Sequence, residues 1–203
     1  MKNILGIIGA SGHGRVIADL AKKMGYEDIL FFDDNESIDF CGGYDVAGKT
    51  CDLFDYDCDA IVGIGDAQVR KRIQKQLEQK NISVTTLIHP NAVIGENVTI
   101  GNGSVVMAGA VVNPGCRIGK GCIINTCASV DHDCVLEDYV HISVGAHLAG
   151  AVTIGCETWV GIGAAVSNNV DIPNGCMIGA GSVVVKSLEG TGTYVGVPVK
   201  KIK

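Results

Sequence analysis

One histidine lies between two aspartates near the middle of the chain, in the sequence Asp131-His132-Asp133. Histidine is the natural general base near neutral pH, and a neighbouring carboxylate can fix its tautomer and raise its basicity. The triplet therefore suits removal of a proton from an attacking amine or hydroxyl group. The same three residues also suit a solvated corner of a loop, and their spacing alone favours neither interpretation.

The other four histidines are His13, His89, His141 and His147. His89 precedes Pro90 and is most simply interpreted as a linker residue between two parts of the chain. His141 and His147 are six residues apart, and neither an HxxxH nor an HExxH metal signature is present. We therefore predict no metal. Because no cysteine, serine or lysine stands out as a nucleophile, we expect a reaction without a covalent enzyme intermediate.

Four of the five histidines belong to, or border, a region with a period of six residues. Every sixth residue from Ile94 to Val184 is aliphatic, and a small or slim residue follows four positions after each of them. This period does not match a helix. It suits a solenoid in which each hexapeptide supplies one short strand and a turn, with three hexapeptides in each triangular coil.

Two further features of the repeat carry predictions. Glycine often follows the aliphatic position, and we expect the chain to turn its corners there, because glycine adopts turn conformations at low steric cost. Four cysteines occupy the column of small residues and are predicted to be buried core groups rather than nucleophiles. These cysteines are Cys116, Cys122, Cys134 and Cys176.

The first 88 residues have a different pattern, in which apolar runs alternate with helical ones. Strands are predicted at residues 3–8, in a second run that ends at Phe32-Asp33-Asp34, at 60–64 and near 84–88. Helices are predicted after Gly9 and over about 66–79. Strands that alternate with helices indicate a parallel sheet, so we predict an α/β, Rossmann-like domain over 1–88, followed by the repeat domain over 89–203.

The first turn of that domain is rich in glycine, with the sequence GASGHG from Gly9 to Gly14. Glycines at this place would let an anionic ligand approach the backbone at the start of a helix. The spacing G-x-x-G-x-G differs from the dinucleotide fingerprint, and a ligand of mononucleotide size fits so short a domain best. The alternative is a tight turn without a ligand. We favour the nucleotide because His13 and the pair Asp33-Asp34 would meet these glycines at one sheet edge.

Composition excludes several classes of protein. The chain has 203 residues, a formal net charge of -6 and only 5% aromatic residues. The negative charge disfavours nucleic acid and anionic lipid as partners. No apolar stretch approaches the roughly 18 residues that span a bilayer, so we expect no membrane insertion. Nine cysteines without any C-x-x-C pair predict the reducing cytoplasm rather than a disulfide framework.

Ordered motifs along residues 3–202 resemble the bacterial sugar acetyltransferases of the PglD and NeuD type. These motifs are I-I-G-A-S-G-H-G, F-F-D-D, I-V-G-I-G, L-I-H-P, I-I-N-T-C-A-S-V-D-H-D-C-V, H-I-S-V-G-A-H-L-A-G and G-V-P-V-K-K-I-K. The resemblance implies a left-handed parallel β-helix for the repeat and a homotrimer. It also implies that acetyl-CoA lies in the groove between adjacent β-helices.

The resemblance further implies roles for individual residues. His132 would be the general base, and Asp133, at a position where the best-known members have glutamate, would raise its basicity; Asp131 is the alternative partner. Asn125 would help to position the acceptor. His141, Ile162 and Ala180 would line the acetyl-CoA site, with Ala180 at a glycine position of the family. The nucleotide part of the acceptor would be held by Ser11, Gly12, His13, Asp33, Asp34 and Gly65.

The implied activity is N-acetylation of the 4-amino group of a nucleotide-linked 4-amino-4,6-dideoxy sugar in bacterial glycan biosynthesis, with UDP as the expected nucleotide. O-acetylation of a sialic-acid-like sugar is the alternative within the family. Two other classes of protein stay open at this point. A γ-type carbonic anhydrase shares the coil and would need three histidines around zinc, and a structural solenoid would bind a nucleotide without turnover.

Overall fold

The structure, a computed structural model, describes residues 3–203. It forms two compact units, of which the first ends at Ile88 and the second runs from His89 to Lys203. All nine cysteines are free thiols. No helix in the described range is long and apolar enough to cross a membrane.

The first unit is built around a five-stranded sheet with the strand order β3-β4-β2-β1-β5. The parallel strands β1, β2, β4 and β5 form most of it, and β3 pairs antiparallel with β4. Their bounds are β1 (Ile4–Ile8), β2 (Asp28–Phe32), β3 (Phe40–Cys41), β4 (Tyr44–Gly48) and β5 (Asp59–Val62). All of β5 and nearly all of β1 is buried, as expected for parallel strands that are covered on both faces.

Two helices and one 3-10 helix, Asp52–Asp55, accompany this sheet. Helix α1 spans Gly12–Lys23, and its N-cap Ser11 accepts a hydrogen bond from the Gly14 N–H. Helix α2 spans Ala67–Gln79 and has Asp66 as its N-cap. A short side chain that accepts from the first turn satisfies one of the free helical N–H groups, which explains why both helices begin where they do.

Two parts of the first unit differ from the sequence prediction. The fourth strand, expected near 84–88, is reduced to a single bridge between Ala60 and Val84. The two residues Leu87–Ile88 form a separate strand, β6, outside the sheet of the first unit. The β3–β4 hairpin was not predicted. Its turn, Gly42-Gly43, has positive φ at both residues, which only glycine adopts freely.

The second unit is a parallel β-helix made of two-residue strands. Each strand pairs in parallel with the strand eighteen residues further along, so three hexapeptides complete one coil. The strands are β7 (Val93–Ile94), β8 (Thr99–Ile100), β9 (Val105–Val106), β10 (Val111–Val112), β11 (Arg117–Ile118), β12 (Ile123–Ile124), β13 (Ser129–Val130), β14 (Val135–Leu136), β15 (His141–Ile142), β16 (His147–Leu148), β17 (Thr153–Ile154), β18 (Trp159–Val160), β19 (Ala165–Val166), β20 (Asp171–Ile172), β21 (Met177–Ile178) and β22 (Val183–Val184).

Three sheets form the three faces of this coil. Face 1 contains β7, β10, β13, β16, β19 and β22, and face 2 contains β8, β11, β14, β17 and β20. Face 3 contains β9, β12, β15, β18 and β21, and it continues into the C-terminal hairpin of β23 (Thr193–Gly196) and β24 (Val199–Lys201). Each corner therefore joins two named faces.

The interior of the β-helix consists of the two columns that the sequence predicts. The aliphatic column is buried from Val106 to Val184, and only its first members, Ile94 and Ile100, are half-buried. The four cysteines of the small-residue column are at most 1% exposed. His89, predicted to be a linker residue, is also buried, and its Nδ1 accepts a hydrogen bond from the Asn91 N–H at 3.0 Å.

The corners turn at a different position from the one predicted. The third residue after each aliphatic position has positive φ, whether it is Gly115 or Asp133, and this holds from Asn97 to Gly181. The glycines directly after the aliphatic positions have ordinary φ. A Cβ there would collide with the backbone of the next coil, 2.5 Å from Pro114 N for Gly95 and 2.6 Å from Lys120 N for Gly101. Those glycines permit coils to stack, and they do not make the turn.

Candidate functional site

The corner between β13 and β14, residues 131–134, carries the predicted general base, and we name it the His132 corner. The His132 Nδ1 lies 2.9 Å from Asp133 Oδ2. Asp133 takes the left-handed conformation of the turn, with φ of +58°. Asp131 bonds to other groups, since its Oδ1 accepts from the His132 N–H at 2.8 Å and from Asn113 Nδ2 at 2.7 Å. The structure thus places Asp133, and not Asp131, on the imidazole ring.

The charges at the His132 corner favour a basic imidazole. The hydrogen bond with Asp133 raises the pKa of His132, and the negative charge of Asp131 adds to this effect. The hydrogen bond from Asn113 keeps the pKa of Asp131 below its usual value, so that carboxyl stays ionised. The His132 side chain is 59% exposed and can therefore meet a substrate.

Gly150 lies under the imidazole ring, one coil further along the same corner. A Cβ at Gly150 would lie 2.5 Å from the His132 Nε2 and 2.6 Å from its Cε1. Because Gly150 does not have positive φ, what a Cβ would meet here is the imidazole ring and not backbone strain. Among residues 3–203, no hydrogen bond acceptor is found for the Gly150 N–H.

A second constellation lies on face 3 around His141. Its ring stacks on Trp159, with centroids 4.8 Å apart and an interplanar angle of 26°. The Asn125 Nδ2 lies 3.2 Å from the His141 Nε2. The Asn125 Oδ1 accepts from the Thr126 N–H at 2.8 Å, which orients the amide so that its NH₂ group points at the ring. In this arrangement the Asn125 NH₂ group is the donor and the His141 Nε2 is the acceptor.

Ile162 and Ala180, predicted to line the acetyl-CoA site, stack at the corner between faces 3 and 1. They are eighteen residues apart, and the Ile162 carbonyl accepts from the Gly181 N–H at 2.8 Å. Ile162 is 56% exposed, and Val144 precedes it in the same column with 41% exposed. This column forms an exposed apolar edge one corner away from His132.

The three glycines of the first turn have different roles in the structure. Gly9 has φ of +111° and makes the sharp turn after β1. Gly14 packs so closely against the Gly9 carbonyl and Phe31 that a Cβ has no room. Only Gly12 faces open space, with Arg15 as its nearest neighbour at 3.9 Å from an added Cβ. Of the three, Gly12 alone offers its backbone to a ligand.

The two aspartates after β2 do not share one environment. Both Asp33 oxygens are occupied, one by the Ala10 N–H at 2.8 Å and the other by the Asn35 N–H at 2.9 Å. Asp33 therefore connects the first turn to the end of β2. Asp34 accepts from the Thr50 N–H at 2.9 Å and lines a cavity of about 550 Å³ beside α2.

His13 and Gly65 are placed by interactions within the first unit. Burial lowers the pKa of His13 to about 4, and the nearby Arg70 charge adds to this shift. The His13 Nε2 is buried without a hydrogen bond partner in the described chain. The Gly65 carbonyl accepts from Arg70 Nη1 at 2.8 Å. His13 is thus neutral at physiological pH and cannot supply a positive charge to a phosphate.

Three of the six predicted acceptor residues of the first unit line one of two cavities, and His13, Asp33 and Gly65 line neither of these. Ser11 and Gly12 line a cavity of about 200 Å³, and Asp34 lines the larger one. Within residues 3–203, no group of three or more His, Cys, Asp and Glu side chains is placed to hold a metal ion.

Sequence reasoning missed several residues at these sites. Three of them, Gly150, Asn113 and Trp159, lie eighteen residues from His132, Asp131 and His141. Three hexapeptides make a coil of eighteen residues, so residues that are eighteen apart stack. This spacing, counted from the predicted site residues, would have identified all three. Arg15 and Phe40 also went unnoticed, and they join Ser11 and Gly12 in the smaller cavity.

Two family models match the chain. The PglD N-terminal domain matches residues 4–77, and the bacterial transferase hexapeptide model (six repeats) matches residues 85–114 and 98–132. The first match lies within the first unit, and the hexapeptide matches cover the first part of the repeat, up to His132.

Solved structures and curated proteins extend the likeness over the whole chain. The acetyltransferase domain of PglB from Neisseria gonorrhoeae FA1090, in complex with acetyl coenzyme A, is 38% identical with a TM-score of 0.96, and 100% of both chains is covered. PerB from Caulobacter crescentus, in complex with CoA and GDP-perosamine, is 33% identical with a TM-score of 0.93, covering 98% and 97% of the two chains. GDP-perosamine N-acetyltransferase of Escherichia coli O157:H7 is 27% identical over 88% of this chain and 84% of its own.

These comparisons confirm the predicted fold class, an α/β domain with a parallel sheet followed by a left-handed parallel β-helix of hexapeptide repeats. They also confirm the predicted enzyme class. The two family models match in the expected order. Two relatives match over nearly the full length of the chain, at 33% and 38% identity, and they indicate the same family. The chain belongs to the PglD-type sugar acetyltransferases.

Proposed function

We propose that this enzyme transfers the acetyl group of acetyl-CoA to the 4-amino group of a nucleotide-linked 4-amino-4,6-dideoxy sugar, with His132 as the general base. The donor is supported by relatives that were solved with acetyl coenzyme A and with CoA. The observation that carries the proposal is the exposed His132 ring, which is bound to Asp133 on one side and lies over Gly150 on the other.

His132 fits the role of the base by its protonation and its access. Because Nδ1 bonds to Asp133, Nε2 is the ring atom that remains to take a proton. The carboxylate stabilises the imidazolium that forms when His132 accepts the proton of the attacking amine. His132 can therefore act as a base near neutral pH while it stays in contact with solvent and substrate.

His141 does not fit the role of the base. Its Nε2 already accepts from the Asn125 amide, and a proton on that nitrogen would face the NH₂ group of Asn125. His141 is also buried, with 7% of its surface exposed. Stacked on Trp159 and hydrogen-bonded to Asn125, it is suited to holding a substrate rather than exchanging protons with one.

The reaction follows from these placements. The sugar amine attacks the thioester carbonyl, His132 Nε2 takes a proton from the amine, and the carbon–sulfur bond breaks to release coenzyme A. Gly150 packs against the imidazole, and its N–H has no hydrogen bond acceptor in the described chain, so it is the donor that we propose for the oxyanion that develops on the carbonyl. No residue needs to carry the acetyl group, so Cys116 and the other core cysteines keep their structural role.

The acceptor part of the proposal is supported by relatives and by the first unit. PerB was solved with GDP-perosamine and the Escherichia coli relative is named for it, so an amino sugar linked to a nucleotide is the acceptor class that we propose. UDP is the nucleotide that we propose, and GDP is the second candidate because both of these relatives are described with a GDP sugar. Ser11, Gly12, His13, Asp33, Asp34 and Gly65 remain the proposed acceptor residues, with Gly12 the best placed among them.

We further propose a homotrimer in the cytoplasm. His132 lies at the corner between faces 1 and 2, whereas His141 belongs to face 3 and Asn125 directly follows a strand of that face. These groups point away from one coil in different directions. A site that uses all three would take the His132 corner from one copy and face 3 from its neighbour, and the exposed apolar edge of Val144 and Ile162 would then be covered.

The test measures release of free thiol from acetyl-CoA with a panel of UDP-, GDP- and dTDP-linked 4-amino sugars and free sialic acids. We expect turnover only with a nucleotide-linked amino sugar. His132→Ala should lower kcat by about two to four orders of magnitude, the usual worth of general base catalysis. Acetyl-CoA affinity should persist, because the ring lies outside the aliphatic column. Near-normal kcat in His132→Ala would show that the base is elsewhere.

A further inference from the structure

Asp131 has one free carboxylate oxygen at the His132 corner. Its Oδ1 accepts two hydrogen bonds, from Asn113 Nδ2 at 2.7 Å and from the His132 N–H at 2.8 Å, and these fix the direction of the carboxyl group. Its Oδ2 accepts no hydrogen bond from residues 3–203. No lysine or arginine in the described range forms an ion pair with Asp131. The negative charge of Asp131 is therefore held beside the general base and is not neutralised by a basic side chain.

The fold does not require a carboxylate at this position. Asp131 is the first residue after a strand of face 1, and the equivalent residues of the other coils carry no charge. They are Gly95, Asn113, Ala149 and Ser167. Each of these coils makes the same corner, with positive φ two residues further along. A carboxylate occurs only in the coil that carries His132, so the shape of the corner does not explain its presence.

An ionised oxygen without an internal partner is suited to binding an amino group. A carboxylate only accepts hydrogen bonds, and an aliphatic amine is largely protonated at neutral pH, so the two form a charge-assisted bond. A hydroxyl group is uncharged at this pH and donates a single hydrogen. Asp131 therefore distinguishes the two acceptors that the sequence leaves open, the amine of an amino sugar and the hydroxyl of a sialic-acid-like sugar.

We infer that Asp131 Oδ2 binds the amino group of the acceptor and makes the enzyme select an amine over a hydroxyl group. This inference rests on the proposed function, in which His132 takes a proton from the same amino group. The ammonium group loses one proton to solvent before it attacks, and His132 removes a second proton during the attack. Asp131 accepts from the N–H groups in both charge states. Asn113 is a positioning residue, because it binds the oxygen that the substrate does not use.

The experiment measures binding rather than turnover, so that a change in rate at His132 does not enter. The full chain is titrated at neutral pH with the UDP-linked 4-amino-4,6-dideoxy sugar, or with the GDP-linked one if only that turns over. The second ligand is the same sugar nucleotide with a hydroxyl group at C4. We expect the wild type to bind the amino sugar about tenfold more tightly, the worth of one partly exposed charge-assisted hydrogen bond.

Asp131→Asn should abolish this preference. The new amide keeps an acceptor oxygen for Asn113 and the His132 N–H, but it replaces Oδ2 by an NH₂ group that cannot accept. Affinity for the amino sugar should fall about tenfold, while affinity for the hydroxy sugar should stay unchanged. Asn113→Ala should lose part of the preference, and Ala149 shows that alanine is accommodated at this position of the corner. Circular dichroism should show unchanged folding for both variants.

Asp138→Asn is the matched control. Asp138 also accepts from a residue of the preceding coil, the Lys120 N–H at 2.9 Å, but at the corner between faces 2 and 3. This variant should keep the full preference. If Asp131→Asn keeps it as well, or if both variants lose it equally, the inference is wrong while the proposed function stands. If the wild type acetylates only the hydroxyl group of a free sialic acid, the acceptor part of the proposed function fails and the inference fails with it.

Discussion

Gly150→Ala tests the placement of His132 without touching its chemistry. The added Cβ would lie 2.5 Å from Nε2 and 2.6 Å from Cε1, whereas ordinary contact begins at 3.4 Å. The ring must therefore move outward by roughly 0.9 Å, and its exposed side chain is free to do so. A displacement of about 1 Å at a reacting group costs on the order of a hundredfold in rate. We expect kcat to fall about a hundredfold.

Stability should hardly change, because Gly150 has ordinary φ and alanine is not strained there. The assay follows thiol release at saturating acceptor and acetyl-CoA, together with thermal unfolding. Glu96→Ala is the matched control, since Glu96 lies at the same corner three coils earlier and should keep full activity. If Gly150→Ala keeps kcat within twofold of the wild type, the imidazole does not need its position over Gly150, and the assignment of the base loses its geometric support.

Three more predictions concern charge, folding and assembly. Asp133→Asn should lower the pKa of His132, and because the base must be unprotonated, the acidic limb of the kcat/KM profile should move to lower pH; an unmoved limb would contradict the pairing. Burial lowers the pKa of His13 to about 4 from its ordinary 6.5, so between these pH values the unfolded chain binds more protons than the folded chain. The free energy of unfolding should therefore fall as the pH is lowered from 6.5 to 4, by up to about 3 kcal/mol. Chemical denaturation of His13→Gln should show a shallower fall over this range, and equal slopes would exclude the effect. Light scattering at micromolar concentration should give the mass of three chains, and a monomer would remove the basis for a shared site.

The solenoid could be predicted from the sequence because its repeat is strict. Each aliphatic residue must point inward in a coil of fixed length, so the column from Val106 to Val184 is visible without any structure. The turn position could not be read in the same way. Gly95 and Gly115 are both glycines of the repeat, yet one avoids a collision between coils and the other adopts positive φ.

The first unit was harder to predict because its contacts join distant segments. The turn Gly42-Gly43 is a typical hairpin signal, and it could have revealed β3 and β4. No local pattern shows that Arg15 lies across that turn, since the contact depends on how the hairpin folds onto α1. For the same reason, no local pattern shows that one Asp33 oxygen accepts from the Ala10 N–H of the first turn and the other from the Asn35 N–H.

Because strands eighteen residues apart pair with each other, the length of the β-helix is set in units of one whole coil. Neighbouring strands on a face are about 4.8 Å apart, so β22 lies three coils, or about 14 Å, beyond β13, the strand that leads into the His132 corner. Duplicating the coil from 167 to 184 would lengthen the β-helix by one coil and leave His132 over Gly150. Inserting only six residues after Glu137 would instead rotate every later strand onto the next face and remove Gly150 from beneath the ring. Changes of length within the repeat therefore keep the later strands on their faces only in steps of one coil.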